Sequence, residues 1–82
     1  MDESAEKLRS SILLLLDQRD AGKTICPSEA ARLAFPDHWR EYMIQTREVA
    51  IILQDEGLLD FYRKGNRVDS RKVRGPYRLR KR

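Results

Sequence analysis

Residues 58–82, LLDFYRKGNRVDSRKVRGPYRLRKR, contain the pattern on which the predicted fold depends. Near its start Leu59 and Phe61 alternate with more polar neighbours, and near its end Tyr77 and Leu79 do the same. Alternation with a period of two residues is typical of a β-strand that has one covered face. Because the two apolar faces can be brought together, the pattern predicts a hairpin whose second strand carries Tyr77 and Leu79 into the core.

The segment between these two strands is polar, strongly basic and contains two glycines. Its composition predicts a mobile loop, with Gly65-Asn66 as one candidate tight turn. We expect the two ends of the chain, residues 1–3 and 81–82, to fray.

Two helices are predicted upstream, separated by a short extended segment at Thr24-Ile25. Leu8, Ile12 and Leu16 recur at helical spacing, which predicts a first helix over residues 4–20. The second helix has its own start signal, because Pro27 suits the first helical position and Cys26 the N-cap. Glu29 then stands where the acid of a capping box belongs, and Pro36 ends the helix.

A third helix is predicted over residues 38–56, capped by Asp37 and closed by Gly57. Only Pro36 and Asp37 separate it from the second helix, which is the outline of a helix-turn-helix. The side of the helix that we expect in the core carries Trp39, Tyr42, Met43, Thr46, Ala50 and Leu53.

The order of these elements predicts an α+β fold of the winged-helix type. It runs helix, short strand, helix-turn-helix and a C-terminal two-stranded basic wing. At 82 residues the chain is expected to form a single domain over residues 1–82 with one hydrophobic core.

Charge is divided unevenly along the chain. Residues 61–82 carry ten Lys and Arg against one acid, a net charge of +9, whereas residues 1–60 carry seven against twelve, a net charge of −5. A basic end on an acidic body indicates an anionic partner for that end, with nucleic acid ahead of acidic lipid or acidic protein.

Several classes of function are disfavoured by composition. One cysteine cannot form an intrachain disulfide, and one cysteine with one histidine offers no metal-ligand spacing. No apolar run reaches the roughly 18 residues of a membrane span, and the acidic start differs from a signal peptide. No phosphate loop or nucleophile motif is present. We therefore expect a cytoplasmic protein with no cofactor, no metal, no membrane association and no enzymatic activity.

Several short pieces of the sequence resemble a family of short bacterial domains of unknown function. The resemblance extends from about Lys23 onward and implies a winged-helix-like fold. It implies no activity, substrate or site, so function must be argued from the residues. The pieces that carry it are Pro27-Ser28-Glu29, Ala31-Arg32, Trp39-Arg40, Met43, Arg47, Ala50, Gly57 and Arg74-Gly75-Pro76.

The predicted wing is the main candidate for binding phosphate. Each phosphate that it neutralised would steepen the salt dependence of binding by about 0.9 in log-log slope. The alternative is that these charges only protect the sheet edges from pairing with other chains. The candidate residues on or beside the hairpin are Arg63, Lys64, Arg67, Arg71, Lys72, Arg74, Arg78 and Arg80.

Three further candidates, Arg32, Arg40 and Arg47, lie on the predicted helix-turn-helix. They can contact nucleic acid, or instead remain solvated, form ion pairs or pack their stems over Trp39 and its neighbours. Phosphates beside a groove would repel the acidic stripe on the outer side of the third helix, which leaves open whether that helix enters a groove. The stripe consists of Glu41, Glu48 and Asp55.

Three functions follow from these patterns. Binding of duplex DNA through the basic wing, with weak or unknown sequence specificity, is the favoured one. RNA binding is the second, with Tyr62 or Tyr77 stacking on an unpaired base. The third is a protein-interaction module that uses the acidic helix face, and a homodimer or protein partner therefore stays open.

Overall fold

A computed structural model describes residues 2–82, and it is an α+β domain in which three helices pack on a four-stranded antiparallel sheet. The helices and strands follow in the order α1 Glu3–Gln18, β1 Thr24–Ile25, α2 Pro27–Ala34, a 3₁₀ helix Trp39–Tyr42, α3 Met43–Asp55, β2 Leu59–Arg63, β3 Asn66–Val68 and β4 Arg78–Lys81.

The first two helices begin at the polar caps that their sequences provide. The Asp2 carboxylate accepts a hydrogen bond from the backbone N–H of Ala5 at 2.8 Å and so caps α1. Before α2, the Glu29 carboxylate accepts from the backbone N–H of Cys26 at 2.9 Å. This confirms the predicted capping box, with Pro27 in the first turn.

The predicted start of the third helix is wrong. Residues 39–42 form a 3₁₀ turn, α3 begins only at Met43, and no side-chain cap is made by Asp37. The Tyr42 ring stacks on Phe35 with centroids 3.8 Å apart, which holds this segment close to the end of α2. Tertiary packing thus overrides the helical period, and Trp39, Tyr42 and Met43 lie half-buried at the rim of the core.

The sheet has the strand order β1-β4-β2-β3, so the last strand lies between the first and the second. Leu79 of β4 pairs with Ile25 on one side and Phe61 on the other, and all three side chains are fully buried. This confirms the predicted entry of the C-terminal strand into the core. Leu8, Ile12, Leu16, Val49, Ala50 and Leu53 cover this face of the sheet from the helices.

Part of the connection between β2 and β4 is regular structure, because it contains β3. Asn66 pairs with Arg63 in a short hairpin, and the two-residue turn is Lys64-Gly65 rather than the predicted Gly65-Asn66. Both turn residues have positive φ, 52° and 82°, as a type I′ turn requires. In the observed register the fully buried Phe61 of β2 pairs with Val68 of β3.

Near the two ends of the chain, where we expect fraying, the described residues form regular hydrogen bonds. Glu3 is already helical, and the prediction for Met1 lies outside the described residues. At the other end Lys81 belongs to β4, and the backbone N–H of Arg82 donates to the carbonyl oxygen of Leu58 at 3.2 Å. Backbone pairing with β2 therefore extends to the last residues.

Tyr77 precedes β4 but packs inward, as predicted. Its ring stacks on Phe61 with centroids 4.9 Å apart. Burial raises the pKa of the Tyr77 hydroxyl to about 12, although the nearby Arg47 guanidinium opposes this shift. Of the helices within residues 2–82, none is long and apolar enough to cross a membrane.

The raised pKa of Tyr77 predicts a loss of stability at alkaline pH. In the unfolded chain the hydroxyl has its ordinary pKa of 10.0. The contribution of the Tyr77 hydroxyl to the free energy of unfolding is therefore complete below pH 10. It is lost as pH rises towards about 12, because the unfolded state releases the proton first. Urea unfolding at about pH 9 and about pH 11 should show this loss, and Tyr77→Phe should lose less over the same interval. Equal losses in the two proteins would contradict the prediction.

Candidate nucleic-acid interface

The face of the sheet that points away from the helices carries most of the strand arginines. Directly paired residues of antiparallel strands lie on the same face. The register therefore places two rows of side chains side by side on the outer face. One row runs Thr24, Arg80, Asp60 and the other Arg78, Tyr62, Arg67. We call these six residues the basic sheet face.

Tyr62 lies at the centre of the basic sheet face. The Arg80 guanidinium lies 5.2 Å from the centroid of its ring, and Arg80 Nη1 is 3.4 Å from the Tyr62 hydroxyl oxygen. Arg78 and Arg67 flank the tyrosine across the two neighbouring strands. The arrangement combines an aromatic ring with three positive charges on an open surface, which is suited to a phosphate and an adjacent base.

Asp60 is the one acid on this face, and its charge is compensated. Arg82 donates two hydrogen bonds to its carboxylate, at 2.7 and 3.2 Å. These bonds lower the pKa of Asp60 although burial opposes them, and its side chain is only 9% exposed. Sequence analysis missed this pair, because the contact depends on the register of β2 with β4.

Several predicted site residues already have partners within the fold. Arg78 donates to Thr24 Oγ1 at 2.6 Å and lies 3.9 Å from the Glu29 carboxylate. Arg63 donates to the carbonyl oxygen of Arg74. Arg71 forms an exposed ion pair with Asp55 at 2.8 Å. Arg63 and Arg71 therefore support the loop and are less available to a ligand than predicted.

Arg47, predicted as a nucleic-acid contact, is engaged within the fold. Its Nη2 donates to the carbonyl oxygens of Ser70 and Val73, at 2.8 and 2.6 Å. Its guanidinium also lies 5.4 Å from the centroid of the Tyr77 ring. The half-buried guanidinium thus ties the β2–β4 connection to the middle of α3. These contacts differ from the alternatives given for Arg47 in the sequence analysis, which were an ion pair or a stem packed over Trp39 and its neighbours.

Four predicted site residues remain exposed and free of such contacts. Within the described residues their side chains make no salt bridge and donate no hydrogen bond. Lys64 and Arg67 lie on the β2–β3 hairpin, where Arg67 is also part of the basic sheet face, and Lys72 and Arg74 lie on the connection from β3 to β4. We call them the free loop cations: Lys64, Arg67, Lys72 and Arg74.

Two predicted residues meet at the junction of α2 and the 3₁₀ helix. The Arg32 and Arg40 guanidiniums lie 4.3 and 4.5 Å from the centroid of the Trp39 ring. Both arginines are exposed. The structure therefore brings these two together on one indole, at a place that shares no residue with the basic sheet face.

The outer side of α3 does not resemble a surface that reads bases. Ile44 is 81% exposed there, with the exposed acids Glu41 and Glu48 one turn away on either side. Asp55 is engaged with Arg71, and Gln45 contacts Ser4 and Asp2. The acidic stripe predicted from sequence is thus open to solvent over its first half.

Two other kinds of site are a metal centre and a reactive cysteine. No group of three or more His, Cys, Asp or Glu that could hold a metal ion is found among residues 2–82. Cys26 is half-buried at the start of α2, with its Sγ 3.0 Å from Ser28 Oγ.

Three helices on an antiparallel sheet with an open basic face define a small α+β domain. A family described as protein of unknown function (DUF3253) matches residues 5–82. The chain belongs to this family, which confirms the resemblance noted from its sequence. A search of the curated proteins finds no match.

The contacts of Arg47 on α3 predict that it contributes more to stability than the arginines of the β3–β4 connection. Arg47→Met removes both bonds to carbonyl oxygens and should lower the free energy of unfolding by about 2 kcal/mol. Arg74→Met is the control, because it also removes one positive charge, on the connection that Arg47 contacts, without losing a side-chain hydrogen bond, and it should stay within about 0.5 kcal/mol. Urea unfolding measures both. A loss no larger than that of the control would contradict the role of Arg47.

The Asp60–Arg82 pair predicts a stability difference that depends on acid pH. Because its folded pKa is lowered from 3.8, Asp60 stabilises the fold above that value, and this contribution is lost as pH falls through the lowered pKa. Arg82→Gln should therefore be less stable than the unmodified chain at neutral pH, and the two should converge in acid. Lys81→Gln, which breaks only the exposed pair with Asp17, is the control and should show little difference at any pH. A constant difference for Arg82→Gln across this range would contradict the prediction.

Proposed function

We propose that this protein is a cytoplasmic nucleic-acid-binding module of the winged-helix type, and not an enzyme. The observation that carries the proposal is the basic sheet face, with Lys64 on the adjoining turn of the β2–β3 hairpin. The fold class is supported by the strand order β1-β4-β2, with α1 before β1 and with α2 and α3 between β1 and β2. In this interpretation the hairpin of β2 and β3 and the chain leading to β4 form the wing.

The charge balance favours phosphate as the ligand of this surface. Arg82 compensates Asp60, and the basic sheet face presents Arg67, Arg78 and Arg80. The Glu29 carboxylate, 3.9 Å from Arg78, is already paired with Arg19. Solubility requires only mixed charge, whereas a surface of one sign attracts a polyanion and concentrates it. Most of the acidic residues lie on the helices or at their ends.

Duplex DNA bound through its backbone, with little sequence preference, is the form of the proposal that we favour. Bases are normally read by a helix in the major groove, but Arg47 is occupied and the outer side of α3 is acidic and apolar. Contacts from Lys64, Arg67 and their neighbours would position the protein without distinguishing sequences.

A second candidate is RNA or another nucleic acid with unpaired bases. Tyr62 on an open sheet, covered by Arg80, favours it, because aromatic rings on sheets serve as stacking platforms for single-stranded bases. Competition among a duplex DNA, a structured RNA and a single strand of equal length separates the two candidates. Preference for the duplex supports the first.

The proposal predicts binding that depends steeply on salt. A labelled duplex of about 20 base pairs should bind at about 50 mM salt and weaken strongly by about 200 mM. The double variant Lys64→Gln/Arg67→Gln should lower the log-log slope by about 1.8, which corresponds to two phosphate contacts. Both side chains lack partners within the described residues, so the fold should be retained.

The control of equal charge is Lys7→Gln/Arg9→Gln, which removes two positive charges from α1, one of them from the ion pair of Arg9 with Glu56, so its urea unfolding midpoint is measured alongside. It should bind with nearly the slope of the unmodified chain. Absence of binding at low salt would refute the proposed function. Equal losses in the two double variants would show that net charge alone is responsible and would refute the assigned surface.

A further inference from the structure

Trp39 has two cations over its ring and no acid paired with either. Arg32 comes from the last turn of α2 and Arg40 from the 3₁₀ helix, and both guanidiniums lie within 4.5 Å of the ring centroid. In the part of the chain that the structure describes, neither side chain forms a salt bridge or donates a hydrogen bond. Two like charges are therefore held against one indole at an exposed site.

The nearby acids do not neutralise this pair at contact distance. Asp37 and Glu41 line the shallow depression beside Trp39, together with Arg40. The Glu41 carboxylate is 3.7 Å from Nδ1 of His38, and neither acid comes within 4.0 Å of a guanidinium nitrogen of Arg32 or Arg40. An anion bound by both arginines at the edge of the indole would compensate their two charges.

The stacking also leaves the hydrogen-bonding edges of both guanidiniums free. A guanidinium is planar and directs its five N–H donors outward in that plane, so a ring that covers its face does not occupy them. Such an edge matches two phosphate oxygens at once. Stacking on the indole restrains both side chains, and less conformational entropy is then lost when an anion binds.

We propose that Arg32 and Arg40, stacked on Trp39, form a second phosphate-binding site that takes a phosphodiester of the nucleic-acid backbone. This rests on the proposed function and extends it. The site is built from α2 and the 3₁₀ helix, whereas the first surface is built from the sheet. The turn between α2 and α3 then contributes a backbone contact, and two separate contacts fix the orientation of the protein on the strand.

Trp39 is the single tryptophan of the chain, so its fluorescence reports on this site directly. Addition of the labelled duplex at about 50 mM salt should change the emission of Trp39 over the same concentrations that change the anisotropy of the label. Arg32→Gln/Arg40→Gln should abolish most of the emission change and lower the salt slope by about 1.8. Arg32→Lys/Arg40→Lys should keep the slope but bind more weakly, because an ammonium cannot form the bidentate contact.

Lys7→Gln/Arg9→Gln again serves as the charge-matched control and should keep both the emission change and the slope. If the duplex binds while the Trp39 emission is unchanged and Arg32→Gln/Arg40→Gln keeps the full slope, the second site is refuted and the function through the sheet stands. If no duplex, RNA or single strand binds, the proposed function itself is refuted. Unfolding midpoints in urea check that the variants remain folded, as expected for exposed side chains.

Discussion

The arrangement of the C-terminal third of the chain depends on the contacts of the Arg47 guanidinium. It donates hydrogen bonds to the carbonyl oxygens of Ser70 and Val73, which lie on a loop without regular structure and need such a donor. The same group lies against the ring of Tyr77, which in turn stacks on Phe61 of β2. One side chain of α3 thus joins the loop, the start of β4 and the sheet into one unit.

This contact decides which surfaces are left for a partner. Because Arg47 and Asp55 face the loop, α3 acts as a support; it and the 3₁₀ helix before it present mainly Glu41, Ile44 and Glu48 to solvent. The cations that remain available lie on the sheet, on the connections beside β3 and at the junction of α2 with the 3₁₀ helix. In the proposed function these cations would contact the nucleic-acid backbone at separate points, with few groups left to read bases.

Features that are set by nearby residues in the sequence were predicted correctly. The capping box at Cys26 and Glu29 and the buried position of Leu79 depend on neighbours a few residues away, or on simple alternation. The start of α3 was missed, because the stacking of Tyr42 on Phe35 is a tertiary contact. The turn at Lys64-Gly65 was displaced by one residue, because the pairing of Arg63 with Asn66 selects it.

Periodicity and charge are properties of adjacent residues, and they are enough to establish a small α+β domain with a basic C-terminal ribbon anchored by apolar side chains. Which of those charges are free depends on the tertiary structure. Arg63 and Arg71 look like Lys64, Arg67 and Arg74 in the sequence, yet the first two are bound within the fold and the others are not. The difference lies in distant carbonyl oxygens and carboxylates, and no local pattern places these beside a particular guanidinium.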